Sequence, residues 1–290
     1  MSQYYKPNRN PNYSYGGAHW TLSRSKIDLF SECQRCFYLD NKLGVARPPG
    51  FPFNLNSAVD ALLKKELDTH RANGTQHPLA TKYGLDAIPL AHAKMDEWRD
   101  ALRHGVKTIH QPTGLTVRGG VDDIWINKEG ELIVIDYKAT SKDAKIESLD
   151  EDWHRGYKRQ LEVYQWLLRQ NGFKVSDMGY WFYANATKDR DAFDGRLDFE
   201  LTLVPYKGNT DWVEGTLLAL KACLDSDEIP GAGDDCDYCR YREAAGQAFL
   251  RVASPARALQ GASPSPTLAS RSKPLKKDKD DENKKTESLF

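Results

Sequence analysis

Gly119-Gly120-Val121-Asp122-Asp123-Ile124-Trp125-Ile126-Asn127-Lys128-Glu129-Gly130-Glu131-Leu132-Ile133-Val134-Ile135-Asp136-Tyr137-Lys138-Ala139-Thr140 is the stretch that decides the fold. Two β-rich runs flank a polar turn containing glycine, the sequence signal of a hairpin. With Lys128 to Gly130 as the loop, Asn127 pairs with Glu131 and Asp122 with Asp136. Directly opposed side chains have Cβ atoms about 5 Å apart. Two carboxylates at that separation repel unless a proton or a cation lies between them. Side chains alternate along a strand, so Lys138 shares the face of Asp136 while Tyr137 and Asp123 point away. Replacing Asp123 by alanine is therefore expected to be mild.

The rest of the hairpin is apolar on both faces. Leu132, Val134 and Ile124 lie on the side of the acids, and Trp125, Ile133 and Ile135 on the other. Strands of that kind are central and covered by helices. Acids there must be paired or must hold a metal. A solvated Asp136–Lys138 pair, the ordinary explanation for charges at a strand end, does not suit such surroundings. The face reads as a metal site with an ammonium beside it.

These residues belong to a longer ordered set. Gly119, Val121 and Asp122 form Gly-x-Val-Asp, Asp136 and Lys138 form Asp-x-Lys, and Gln160 and Tyr164 form Gln-x-x-x-Tyr on a following helix. The set resembles the PD-(D/E)XK nucleases, in particular the RecB-type exonucleases that include the CRISPR-associated ones. The resemblance runs from about Leu22 to Arg242. It implies a restriction-endonuclease-like α/β core, a central mixed sheet flanked by helices.

The resemblance also implies chemistry. Asp122, Asp136 and the backbone carbonyl of Tyr137 would hold Mg²⁺ or Mn²⁺ through oxygen ligands. Lys138 would position the attacking hydroxide or neutralise transition-state charge. Gln160 and Tyr164, four apart on one helix face, would orient the substrate strand; by its pattern alone Tyr164 is a core aromatic. Relatives often carry a metal-binding histidine on an earlier helix, where this chain has none. The nearest candidate is Asp60, whose place near a helix start has an ordinary explanation in the helix dipole. The implied partner is DNA, with single-stranded ends favoured, in repair, recombination or defence. The alternative is a catalytically inactive nucleic-acid-binding or assembly module that retains the fold.

Composition sets outer bounds. With 290 residues, 40% hydrophobic, the chain can hold one sizeable α/β domain. Lys plus Arg and Asp plus Glu both number 41, so net charge does not announce nucleic-acid binding, and a nuclease would need a local basic channel. No apolar run approaches a membrane span and Met1 to Tyr15 lacks a signal-peptide core, so a cytoplasmic location is the default. Residues 1–19 read as a flexible arm, 20–250 as the nuclease-like domain, and 251–290 as a disordered charged tail. Between them, the spacing predicts helices over Asn56–His70, with an apolar stripe of Ala58, Leu62, Leu63 and Leu67, over Lys94–Gly105 and over Tyr157–Gln170, with 71–93 loop-like.

Cys33 and Cys36 form one Cys-x-x-Cys pair, and Cys236 and Cys239 another. In a reducing compartment such pairs more often bind metal than form disulfides. Two pairs can complete a tetrahedral thiolate shell and staple the two ends of the domain together. RecB-type relatives with a [4Fe-4S] cluster use one N-terminal and three C-terminal cysteines, unlike the two-and-two arrangement here. Zn²⁺ and [4Fe-4S] both suit four thiolates. Cys223 reads as a packing residue beside Leu220.

Overall fold

The computed structural model describes residues 9–50, 54–151 and 154–253. Contacts divide the chain into 1–242, which holds both sheets and the four clustered cysteines, and 243–290. The expected charged tail falls outside the described residues from 254 onward.

The hairpin forms in the expected register. Strands β5 (Asp123–Asn127) and β6 (Leu132–Thr140) are antiparallel, with Ile124 opposite Val134 and Ile126 opposite Leu132. They lie inside a five-stranded mixed sheet of order β2-β5-β6-β7-β8, completed by β2 (Ala87–Pro89), β7 (Met178–Ala186) and β8 (Phe199–Lys207). β7 runs parallel to β6 and the other neighbours are antiparallel. A second, three-stranded sheet has the order β1-β4-β3, from β1 (Leu22–Ser23), β3 (Val106–His110) and β4 (Leu115–Gly119). The five-stranded sheet is the central mixed sheet expected from sequence, and the three-stranded sheet is additional to it.

The two faces of the hairpin build two cores. Ile124, Leu132 and Val134 join Leu161, Tyr164 and Leu168 of helix α6 (Arg155–Gln170), together with α1 (Arg24–Glu32) and α7 (Asp211–Asp225). Trp125, Ile133 and Ile135 instead pack on Leu63 and Leu67 of α3 (Asn54–Asn73) and on Leu79 of α4 (Pro78–Lys82). Helix α6 contacts β3, β4 and β6, so it fills the space between the two sheets. Its residues 161–168 are all buried, the polar Glu162 and Gln165 among them. The mixed α/β core with helices on both sides is a restriction-endonuclease-like architecture.

Several local expectations change. The inward stripe of α3 is Val59, Leu63 and Leu67, whereas Leu62 is exposed and Ala58 lies off the core. Stretch 71–93 contains α4 and β2, and the helix expected over Lys94–Gly105 is the short α5 (Met95–Arg99). Residues 9–19 of the expected flexible arm are folded into a 3-10 turn, Pro11–Tyr13, followed by a tight return. A Cβ on Gly17 would lie 2.3 Å from the Pro11 carbonyl oxygen, so only glycine closes that return. Tyr15 and Trp20, in edge-to-face contact, then pack on the core. Helices α2 (Gln34–Asn41) and α8 (Asp237–Ala253) complete the described elements.

Candidate active site

The acids meet where β5 begins. Asp122 immediately precedes β5 and accepts from the Tyr137 amide at 2.9 Å (Oδ2). A strand residue places its N–H and C=O on one edge, so the Tyr137 carbonyl faces the same gap, with Lys138 Nζ at 3.4 Å. Asp136 is fully buried. One of its oxygens, Oδ2, accepts from Lys138 Nζ, while Oδ1 has no partner. Burial, and then the charge of Asp136, push the Asp122 carboxyl up to about 7. Such a pair sits poorly without a cation between its members.

Asp122, Tyr137 and Lys138 line a cleft of about 520 Å³ between β6, α3 and the start of α6, with Asp136 buried behind it. Asp60 lies in it, paired with Lys64 at 2.9 Å. Tyr157, which sequence reading passed over, also lines it and holds its ring 4.7 Å from Lys138 Nζ. A cation over an aromatic face is held electrostatically, so Tyr157 fixes the far side of the ammonium. Only its place at the start of α6, facing the hairpin, was available as a signal.

Gln160 and Tyr164 lie one turn further along α6, and Gln160 donates to the Tyr164 hydroxyl at 3.2 Å. Tyr164 is buried, and burial together with the nearby acids raises its phenol to about 12. A Cβ on Gly119 would meet the Tyr164 ring at 2.7 Å. The glycine of the Gly-x-Val-Asp run therefore lets α6 approach the strand that delivers Asp122.

Asp123 departs from expectation. It is fully buried on the opposite face and accepts from Arg71, from Arg99 Nη2 at 3.0 Å and from the Tyr137 hydroxyl at 2.6 Å. It is a structural anchor rather than a dispensable acid. The stretch 71–99, which carried no chemistry in sequence, supplies both of its arginines.

A second cluster lies at the ends of the domain. The Sγ atoms of Cys33, Cys36, Cys236 and Cys239 all fall within 4.8 Å of one another, and all four residues are buried. Cys36 and Cys236 are 3.5 Å apart, and Cys33 and Cys36 each lie 3.7 Å from Cys239. Arg242 donates to Cys239 Sγ at 3.1 Å and Cys36 Sγ at 3.3 Å, and Arg47 to Cys236 Sγ at 3.5 Å. Burial pushes the Cys36 thiol up to about 12. Cys33 is raised by burial too, yet amide donors from Gly233 and Cys36 bring it down to about 6. Cys223 lies apart, packed against the core near α7.

Residues 21–244 match the profile of the PD-(D/E)XK nuclease superfamily. The chain belongs to this superfamily. Members of the PD-(D/E)XK superfamily generally use divalent metals, and the buried Asp136 oxygen that has no partner suits one. Among solved structures, that of SSO0001 is 17% identical, with TM-score 0.37, covering 77% of this chain and 84% of that one. A proposed exonuclease from Eubacterium rectale is 16% identical, with TM-score 0.36, covering 76% of this chain and 87% of that one. No curated protein sequence matches this chain. Among the described residues no helix is long and apolar enough to cross a membrane.

Proposed function

We propose that this PD-(D/E)XK protein is a DNA nuclease of the RecB-type branch, dependent on Mg²⁺ or Mn²⁺ and acting on single-stranded ends. The observation that carries the reading is Asp136, fully buried, with one oxygen bound to Lys138 and the other without a partner, near enough for its charge to raise the Asp122 carboxyl. A buried carboxylate oxygen rarely lacks a partner, and here the Asp122 carboxylate and the Tyr137 carbonyl offer the remaining oxygen donors. A divalent cation bound there supplies Lewis-acid stabilisation of the scissile phosphate. Asp60, on the opposite wall of the cleft, is the candidate fourth protein donor.

The chain's own groups do the rest. Lys138, held between Asp136 and the Tyr157 ring, presents an ammonium to charge developing on a phosphate in the cleft. Gln160 and Tyr164 hold the helix face against which a strand is oriented. The four cysteines form a structural metal site. A single ion with Zn–S bonds near 2.3 Å has a tetrahedral edge of about 3.8 Å. Three separations of 3.5–3.7 Å, with all four sulfurs within 4.8 Å of one another, support one zinc ion, since a four-iron cube interposed between the sulfurs holds them further apart.

The test is cleavage of end-labelled single- and double-stranded DNA with Mg²⁺, Mn²⁺ or EDTA. The expected result is metal-dependent shortening of single strands, reduced about a thousandfold or more in Asp136→Ala and Lys138→Ala. Binding without cleavage under every metal condition would replace this reading with the inactive module.

A further inference from the structure

The chain is electrically neutral overall, yet its charges are not evenly spread. A groove of about 750 Å³ runs over the outer face of the three-stranded sheet, and five of the residues lining it are Lys or Arg while none is Asp or Glu. They are Arg9, Lys26, Arg103, Lys107 and Arg118. Lys107 and Arg118 stand directly opposite each other across β3 and β4. Like charges so placed destabilise a sheet.

Neither Arg103 nor Lys107 makes an ion pair among the described residues, and Arg118 spends its guanidinium on carbonyls of 101–104 and on Thr21. Lys26 donates to the Thr21 carbonyl, and burial together with Arg9 pushes its ammonium down to about 8. Arg9 is bound to Asp40, and His104 to Asp100, both outside the lining. The rim adds two rings, Tyr13 and His19, 5.4 Å apart and exposed. A cationic track with exposed rings at its edge is the chemistry that holds single-stranded nucleic acid, phosphates on the cations and bases on the rings.

We infer that the outer face of the β1-β4-β3 sheet is a docking groove for the backbone of single-stranded DNA, separate from the catalytic cleft. Resting on the nuclease reading, this assignment adds where the strand lies before it reaches the acids. Arg118 and Asp122 are four residues apart, so at most about 14 Å of chain separates the groove from the site. A few nucleotides span that distance, and one strand can occupy both.

The test uses the full chain, fluorescein-labelled oligothymidine and fluorescence anisotropy in EDTA, over a range of salt concentrations. Arg103→Glu/Lys107→Glu changes two exposed side chains that support no other group. Expected is a loss of affinity of about tenfold or more, with the slope of log affinity against log salt shallower by roughly 1.4. Lys128→Glu/Lys174→Glu, an equal charge change around the hairpin tip, should bind as the unaltered protein does. Circular dichroism and melting of each variant separate misfolding from lost contacts; should the groove pair unfold, Arg103→Ala/Lys107→Ala replaces it. Unchanged affinity and slope in the folded groove variant overturn the assignment, as does a groove that takes an acidic polypeptide but not the oligonucleotide. Because EDTA suppresses cleavage, groove-dependent binding by a chain that never cuts would sustain the groove while removing the nuclease reading.

Discussion

At Asp123, alanine would leave two nearly buried guanidiniums with the half-exposed Asp68 as their remaining acidic partner. Arg71 and Arg99 are each about nine-tenths buried and converge on its two oxygens, where the Tyr137 hydroxyl also donates. Removing one partner of a buried charge set costs about 3–5 kcal/mol, because the remaining charges lose their compensation. Asp123→Ala is therefore expected to lower the urea midpoint by an amount corresponding to that loss. Asp136→Ala, by contrast, should keep most of its stability, since it relieves the repulsion with Asp122 even as it leaves Lys138 beside the Tyr157 ring. Equilibrium unfolding of both variants decides this, and equal losses would mean that Asp123 is not the anchor. Adjacent aspartates thus have opposite duties set by strand alternation, one facing the cleft and the other the structural core.

At the scale of elements, the contact that matters is α6 against β4. The Tyr164 ring lies where a Cβ of residue 119 would be, and Leu167 approaches within 3.2 Å of the same point. Gly119→Ala forces the helix or the ring to move, an overpacking that costs about 1–3 kcal/mol. We expect a lower melting temperature together with weaker cleavage, because Gly119 lies only three residues before Asp122. The cost should shrink when Tyr164 is also truncated to alanine, and a double-mutant cycle measures that coupling. Strict additivity would show that the two residues do not touch.

The hairpin and α6 were legible in sequence because strand alternation and helical periodicity are local. The second sheet was not: its strand β1 is only two residues long, too short to carry any period. The same holds for Glu162. It sits inside the apolar run of α6, yet it accepts from Trp212 at 2.7 Å and from Tyr206 at 2.6 Å, partners 50 and 44 residues away.

Across the whole molecule, the four cysteines join segments about two hundred residues apart. Closing so long a loop removes much conformational entropy from the unfolded chain, and binding to the folded state alone stabilises it by mass action. One zinc ion per chain is expected by elemental analysis, with no visible thiolate-to-iron absorption. Chelation, or Cys236→Ser, should lower the melting temperature of the folded core without removing Asp122 and Asp136. A brown protein containing four irons would correct the ion; unchanged melting after complete metal removal would take away its structural role.

The sequence alone determined the hairpin, its register and the meeting of Asp122, Asp136 and Lys138, because a turn of fixed length and a period of two leave one arrangement that buries both apolar faces. It also determined that two Cys-x-x-Cys pairs were available. Tertiary structure decided the rest: that Asp123 anchors Arg71 and Arg99, that Tyr157 covers Lys138, that the four sulfurs converge, and that a neutral chain gathers its cations on one sheet face. Each of these depends on side chains from distant segments meeting in space, and neither local periodicity nor a sum of charges records which segments meet.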